Sequence, residues 1–241
     1  GRAADRESPM RRQGFTLIEL MIVIAIIAIL AAIAIPGLRR GKLAANETAA
    51  IGAIKTIVTG QSQFKLSQCV DLDVDGEGEF GFLQELAGTS QCRTPGAVAG
   101  NVVNPPLIQN HFGAAAVTNA GFADREGYVF LVYLPGGAGA AIPETAPIPN
   151  GDPAACDIAE NHWVCYSWPS DFGGSGLRAF AVDAEGLVYQ SSNDAMRYEG
   201  RTTVPAADAA LDPAGTDPAN LNARIIAGVG GDGQTWTPVG G

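Results

Sequence analysis

Residues 14–35 read GFTLIELMIVIAIIAILAAIAI, from Gly14 to Ile35. From Phe15 to Ile35 only Thr16 and Glu19 are not apolar, and about 20 consecutive apolar residues is the length an α-helix needs to cross the hydrocarbon core of a bilayer. The segment 15–35 is therefore first a transmembrane helix. Glu19 is its anomaly, because an ionisable group within a membrane helix costs about 2.5–3.5 kcal/mol on insertion scales and marks function. A carboxylate placed there needs a partner.

Immediately ahead stand Arg11, Arg12, Gln13 and Gly14. Followed by Phe15-Thr16-Leu17-Ile18-Glu19-Leu20, they resemble the class III signal of type IV pilins and type II secretion pseudopilins. The resemblance implies that a prepilin peptidase cuts after Gly14 on the cytoplasmic side and methylates the new N-terminal Phe15. It also makes Glu19 the carboxylate that guides assembly. Physically, the cut creates an α-amine with a pKa of about 7.7–8. In a bundle of such helices the amine of one subunit and Glu19 of its neighbour would neutralise each other, which sets the axial stagger between subunits. Met10 to Gly14 make a complete short leader within residues 1–14, so Gly1 to Pro9 are expected to have no role in the mature protein. Two other readings remain: an uncleaved anchor, or a secretory signal cut after Ala32-Ile33-Ala34. Against the latter, the apolar region exceeds the usual 7–15 residues and contains an acid.

Pro36 and Gly37 end the apolar run and Gly41 follows. Proline removes a backbone hydrogen bond and glycine raises the entropy cost of helix, so a kink or local melting is expected at Pro36, or else a simple helix end. Members of the resembled family carry a helix-weakening proline at this place, where the chain can stretch on leaving the membrane, which makes Pro36 an assembly residue. Arg39, Arg40 and Lys42 follow the span and by charge counting favour the reverse topology. The processing signal instead requires Gly14 in the cytoplasm, which puts the C-terminal domain in the periplasm of a bacterial inner-membrane protein. Across 36–67 the pattern becomes amphipathic. Leu43, Ala50, Ile51, Ile54, Ile57, Val58 and Phe64 make a helical stripe, with Asn46, Glu47, Lys55, Gln61 and Lys65 largely off it.

Beyond residue 67 the chain is long enough for one domain, 68–241, with its own core. A net charge of -10 argues against a nucleic-acid surface, which is normally basic. With 31 glycines, 15 prolines and only 17% charged residues, much loop over a modest sheet is expected. A short apolar helix fits Phe80 to Leu86, and a helical turn fits Leu107 to Phe112. Strand composition marks Gly127 to Leu134, His162 to Trp168, and Leu177 to Asp183, which turns at Ala184-Glu185-Gly186 into Leu187 to Gln190. Pro205 to Pro218 reads as a surface excursion, and Leu221 to Val229 and Trp236 to Val239 as possible returns to the sheet. The expected class is α+β: a long N-terminal helix packed on a C-terminal antiparallel sheet with long loops, a pilin-like arrangement.

The four cysteines, Cys69, Cys92, Cys156 and Cys165, match no zinc spacing. In an exported domain disulfides are the default, and nearness favours Cys69–Cys92 with Cys156–Cys165 among three pairings; four buried thiols are the other reading. Asp71, Asp73, Asp75 and Gly76, with Glu77 next, match the opening of a calcium loop. Its twelfth position is Phe82 rather than an acid, so the choice is between calcium held by Asp71, Asp73, Asp75 and Glu77 and a solvated acidic turn. Gly228 to Gly233 contains G-x-G-x-x-G, but no helix can follow to face a phosphate, and it reads as a turn. His111 and His162 stand in no metal or nucleophile motif. No enzyme is expected.

The expectation is thus a structural subunit, cleaved and N-methylated by prepilin peptidase. Through an inner-membrane assembly platform it would polymerise with itself into a type II secretion pseudopilus or a type IV pilus. The alternative is a membrane-anchored exported binding domain, with calcium as its candidate ligand, that never polymerises.

Overall fold

A computed structural model describes residues 14–94, 100–113, 121–137, 139–145 and 153–240. Arg11, Arg12 and the rest of the leader ahead of Gly14 lie outside the described residues. The chain divides into two units, Gly1–Gly41 and Lys42–Gly241. Helix α1, Leu17–Ser67, supplies described residues to both. Pro36 has no N–H to give the carbonyl of Ala32, yet α1 is helical on both sides of it and through Gly37 and Gly41. The expected melting does not occur, because the bonds of neighbouring turns hold the backbone and a proline is tolerated within apolar helices.

In the second unit α1 buries Ala50, Ala53, Ile54, Ile57 and Phe64. Glu47 and Gln61, read as off the stripe, are buried with them at 7% and 0% exposure. Each reaches across to another segment: Gln61 exchanges two hydrogen bonds with the backbone of Gly81, at 2.7 and 2.9 Å. A backbone unit paired this way removes the cost of burying the amide. Helix α2 is the single turn Leu83–Leu86, and a 3-10 turn covers 110–113.

The sheet is antiparallel throughout, with strands β1 Ala123–Arg125, β2 Tyr128–Leu134, β3 Ile142–Pro143, β4 Val164–Pro169, β5 Ala179–Asp183, β6 Tyr189–Ser191, β7 Gly228–Val229 and β8 Thr235–Pro238. Their order is β1-β2-β4-β5-β6-β8-β7, with β3 also on β2. Between β1 and β2 the turn is Glu126-Gly127, both at positive φ (49° and 79°), the primed geometry whose twist matches that of a hairpin. The G-x-G-x-x-G stretch is the β7–β8 hairpin, in which Gly230 N–H donates to Gln234 O at 3.0 Å.

Every residue of β2 is buried, and its side chains divide by alternation between two cores. Phe130, Val132 and Leu134, with Cys165, Phe180 and Val182, pack in one cluster with the α1 stripe. Val129, Leu131 and Tyr133 join Tyr166, Trp168 and Ala181 in the other. That second face is covered by Ala209, Ala210, Leu211, Leu221, Ile225 and Trp236. The stretch read as a surface excursion therefore closes a second core. Tyrosine hydroxyls hold it there: Tyr133 donates to Pro205 O at 2.7 Å and Tyr166 to Ala207 O at 3.0 Å, and Tyr166 Oη accepts from Ala210 N. Small alanines let the loop backbone lie close to the aromatic rings.

Candidate functional site

The N-terminal segment has two chemical features. First, its apolar side chains are exposed from Phe15, at 91%, through Leu17, Ile24, Leu30 and Ile33 to Leu38; α1 is the one described helix long and apolar enough to cross a membrane. An uninterrupted apolar surface of this kind is a site of lipid or protein contact. Second, Glu19 is bound into the helix start. Thr16 precedes the first helical residue and its carbonyl accepts from Leu20 N at 3.3 Å. Glu19 Oε2 accepts from Thr16 N at 2.9 Å and from Thr16 Oγ1 at 2.8 Å, while Glu19 N donates to Thr16 Oγ1 at 3.3 Å. This is a capping box. It satisfies two N–H groups of the helix start and removes part of the cost of a carboxylate in an apolar segment. Thr16 was legible as the T-x-x-E pattern but not singled out. Gly14 and Phe15 lie before the helix and are exposed.

The acidic loop lies just past α1. Asp71 Oδ2 accepts from Gly76 N at 3.2 Å, Asp73 Oδ1 from Asp75 N at 3.4 Å, and Asp75 Oδ1 from Glu77 N at 2.8 Å. Gly76 has φ 94°, the conformation for which glycine suits a sharp turn. Of the four sequence candidates, Asp71, Asp73 and Asp75 have donor oxygens within 4.8 Å of one another. Glu77 is instead exposed and 3.9 Å from Lys65 Nζ. Residues not foreseen join the group: Asp73, Glu79 and Cys156 form one cluster of donor atoms, and Asp73, Asp157 and Glu160 another. Asp157 is on α3, Cys156–Ala159, and Glu160 follows it. Glu79 continued the visible alternation of acids, whereas residues more than 80 positions away in sequence gave no signal. Burial raises the carboxyl of Glu79, and burial with the fields of Asp75, Glu77 and Asp73 brings that of Glu160 up to about 7.

Several links tie these segments to the domain. The disulfide Cys69–Cys92 closes a loop of sequence separation 23. The pairing Cys156–Cys165 that nearness suggested does not form, and both residues are buried thiols. Cys165 sits in mid-strand on the helix-side face of β4, whereas Cys156 on α3 is committed to Glu79. Burial pushes both thiols well up. Glu85 accepts from Arg93 N at 2.8 Å and pairs with the Arg93 guanidinium at 3.1 Å, both buried. Glu144 Oε2 accepts from Leu83 N at 3.0 Å and Oε1 from Gln84 N at 2.9 Å and Gln84 Nε2 at 3.1 Å. Burial nevertheless raises the Glu144 carboxyl to about 8.

The prokaryotic N-terminal methylation motif matches residues 9–35, the same stretch that holds Gly14, Phe15 and Glu19. The chain is similar to the type IV major pilin protein PilA of Myxococcus xanthus, 31% identical over 210 residues that cover 76% of this chain and 93% of that one. It is also similar to the type IV wide pilus major component PilA4 of Thermus thermophilus, 48% identical over 54 residues, 22% of this chain and 41% of that one. The chain thus spans about two-fifths of the Thermus protein. No solved structure matches it. With a likeness that runs over nearly the whole Myxococcus pilin, a methylation motif at the helix start and a long helix before an antiparallel sheet, the chain belongs to the type IV pilin family.

Proposed function

We propose that the chain is a structural subunit, not an enzyme, that polymerises with itself into a type IV pilus. In this reading it is held in the bacterial inner membrane by residues 15–35 with the domain in the periplasm, cut after Gly14 and methylated on Phe15 by a prepilin peptidase, and assembled on an inner-membrane platform. The observation that carries the reading is an apolar helix with its whole surface open and one carboxylate at its start. Burial among like helices can replace burial in lipid without exposing that surface to water. Glu19 already has Thr16 as partner in the single chain, so the membrane-inserted subunit tolerates it. In a filament the α-amine of a neighbour would add the opposite charge, and the pair would set the stagger. The near-complete coverage of a major pilin favours a pilus over a secretion pseudopilus.

The test is the N-terminal sequence and intact mass of the protein from cell envelopes, together with filaments sheared from cells. Processing predicts a chain that begins at N-methylated Phe15; one that begins at Ile35 or still carries Met10 would sink it. Glu19→Ala should abolish filaments while the protein stays in the membrane. Unchanged filaments would remove Glu19 from assembly, and a wild type without filaments would favour an anchored domain that does not polymerise.

A further inference from the structure

The acidic loop and the turn of helix beside it have the composition of a cation site. Among the described residues four buried side-chain atoms have no hydrogen-bond partner, and three of them are carboxylate oxygens: Asp71 Oδ1, Glu79 Oε2 and Glu160 Oε1. Each of these acids belongs to a different one of the three donor groups, and Asp73 is in all three. Glu79 and Glu160 are only 1% and 6% exposed. A carboxylate oxygen buried without a donor is unfavourable. Glu79 keeps Leu72 N on its other oxygen at 2.8 Å, but the three acids with an unpartnered oxygen each share a donor group with Asp73, which points to an absent partner that is positive.

Among the described residues, the cations near the cluster have partners of their own. Lys65 Nζ donates to the backbone carbonyl of Glu160 at 2.7 Å and faces Glu77, and Arg93 pairs with Glu85. The donor groups have the right span for a metal. Ligand oxygens at about 2.3–2.6 Å from one ion lie up to about 5 Å apart, and within each group the donor atoms lie within 4.8 Å of one another. The donors are oxygens except for the Cys156 thiol, and no histidine is among them. Zinc favours thiolate and imidazole, whereas magnesium demands near-ideal octahedral geometry. A flexible loop of carboxylates meets the looser needs of calcium.

We infer that this cluster binds a calcium ion centred on Asp73, with ligands drawn from Asp71, Asp75 and Glu79 on the loop and from Asp157 and Glu160 beside it. The site fastens the loop that follows α1 to the segment ahead of β4, which the backbone bond from Phe80 N to Ala159 O already brings together at 3.1 Å. It needs no filament, so it stands or falls apart from the pilin reading.

The test is calorimetric titration of the full chain as purified from membranes in detergent, stripped with chelator, with calcium, magnesium and zinc chlorides in turn. The expected result is one saturable calcium site with a Kd on the order of 0.1 mM, with magnesium at least about ten-fold weaker, and a Tm that rises with calcium. Asp73→Asn, at an exposed position, should weaken calcium at least about ten-fold without lowering the Tm in chelator. Asp194→Asn, exposed and remote in sequence, should bind as the wild type does. No saturable calcium heat, magnesium or zinc binding as tight as calcium, or an Asp73→Asn protein with unchanged affinity would each overturn the inference.

Discussion

Replacing Glu47 by alanine tests how the second half of α1 is held to the sheet. Glu47 Oε1 accepts from Leu177 N at 3.2 Å and Arg178 N at 3.3 Å, and Oε2 from Arg178 Nε at 2.9 Å and Nη2 at 2.5 Å. The guanidinium keeps a bond to Gln190 Oε1 at 2.6 Å, and the Arg178 side chain is 42% exposed. Water can therefore replace much of the ion pair, which contributes no more than about 1 kcal/mol. The two backbone N–H groups ahead of β5 lose their acceptor in a part-buried place, at about 1 kcal/mol each. The expected loss is about 2–3 kcal/mol. At about 2–4 °C per kcal/mol for a domain of this size, the Tm should fall by roughly 4–12 °C. The assay is thermal unfolding of the full chain in detergent, followed by near-ultraviolet circular dichroism, which reports the packing of Tyr128 on Phe180 nearby. Glu47→Gln keeps an acceptor oxygen and should lose about half as much. Because the backbone bonds dominate, high salt should change the difference little. A Glu47→Ala protein within about 2 °C of wild type, or a loss that vanishes in high salt, would refute the reasoning.

The paired change Cys69→Ser and Cys92→Ser should lower stability by about 3 kcal/mol, the loop-closure value for the separation of 23; urea unfolding measures it, and a loss below about 1 kcal/mol would contradict it. Titration with a thiol reagent should find two thiols, Cys156 and Cys165, slow in the folded protein and immediate in denaturant; none in denaturant would restore the second disulfide. Glu144 should make stability depend on pH. Its folded pKa of about 8 lies above the usual value for an unfolded glutamate, so the folded state holds a proton that the unfolded chain has released. Its contribution to stability is then greatest below about pH 4 and falls as pH rises towards 8. Glu144→Gln should flatten that slope between pH 5 and 8, as read by urea unfolding at each pH; an unchanged slope would show that Glu144 ionises normally when buried.

The N-terminal helix was legible because its signals are local. The length of the apolar run, the lone Glu19 and the stripe Ala50, Ile54, Ile57, Phe64 are set by spacing along one helix, where sequence spacing is spatial spacing. The central strands were legible too, since Tyr128 to Leu134 and Ala179 to Asp183 have the β-branched and aromatic content of buried strands. Tertiary structure decided what depends on contact between distant segments. Glu47 and Gln61 look like solvent-facing residues until Arg178 and Gly81 arrive beside them. Ala209, Ala210 and Leu211 lack any periodicity, and only the hydroxyls of Tyr133 and Tyr166 show that this loop is the lid of a second core. Sequence nearness misled for Cys156 and Cys165, because disulfide bonding follows geometry in space and the two residues lie on different elements with other partners. The acidic loop divides in the same way: Asp71, Asp73 and Asp75 are a pattern along the chain, whereas Asp157 and Glu160 complete it from the turn before β4, and nothing but the fold places them there.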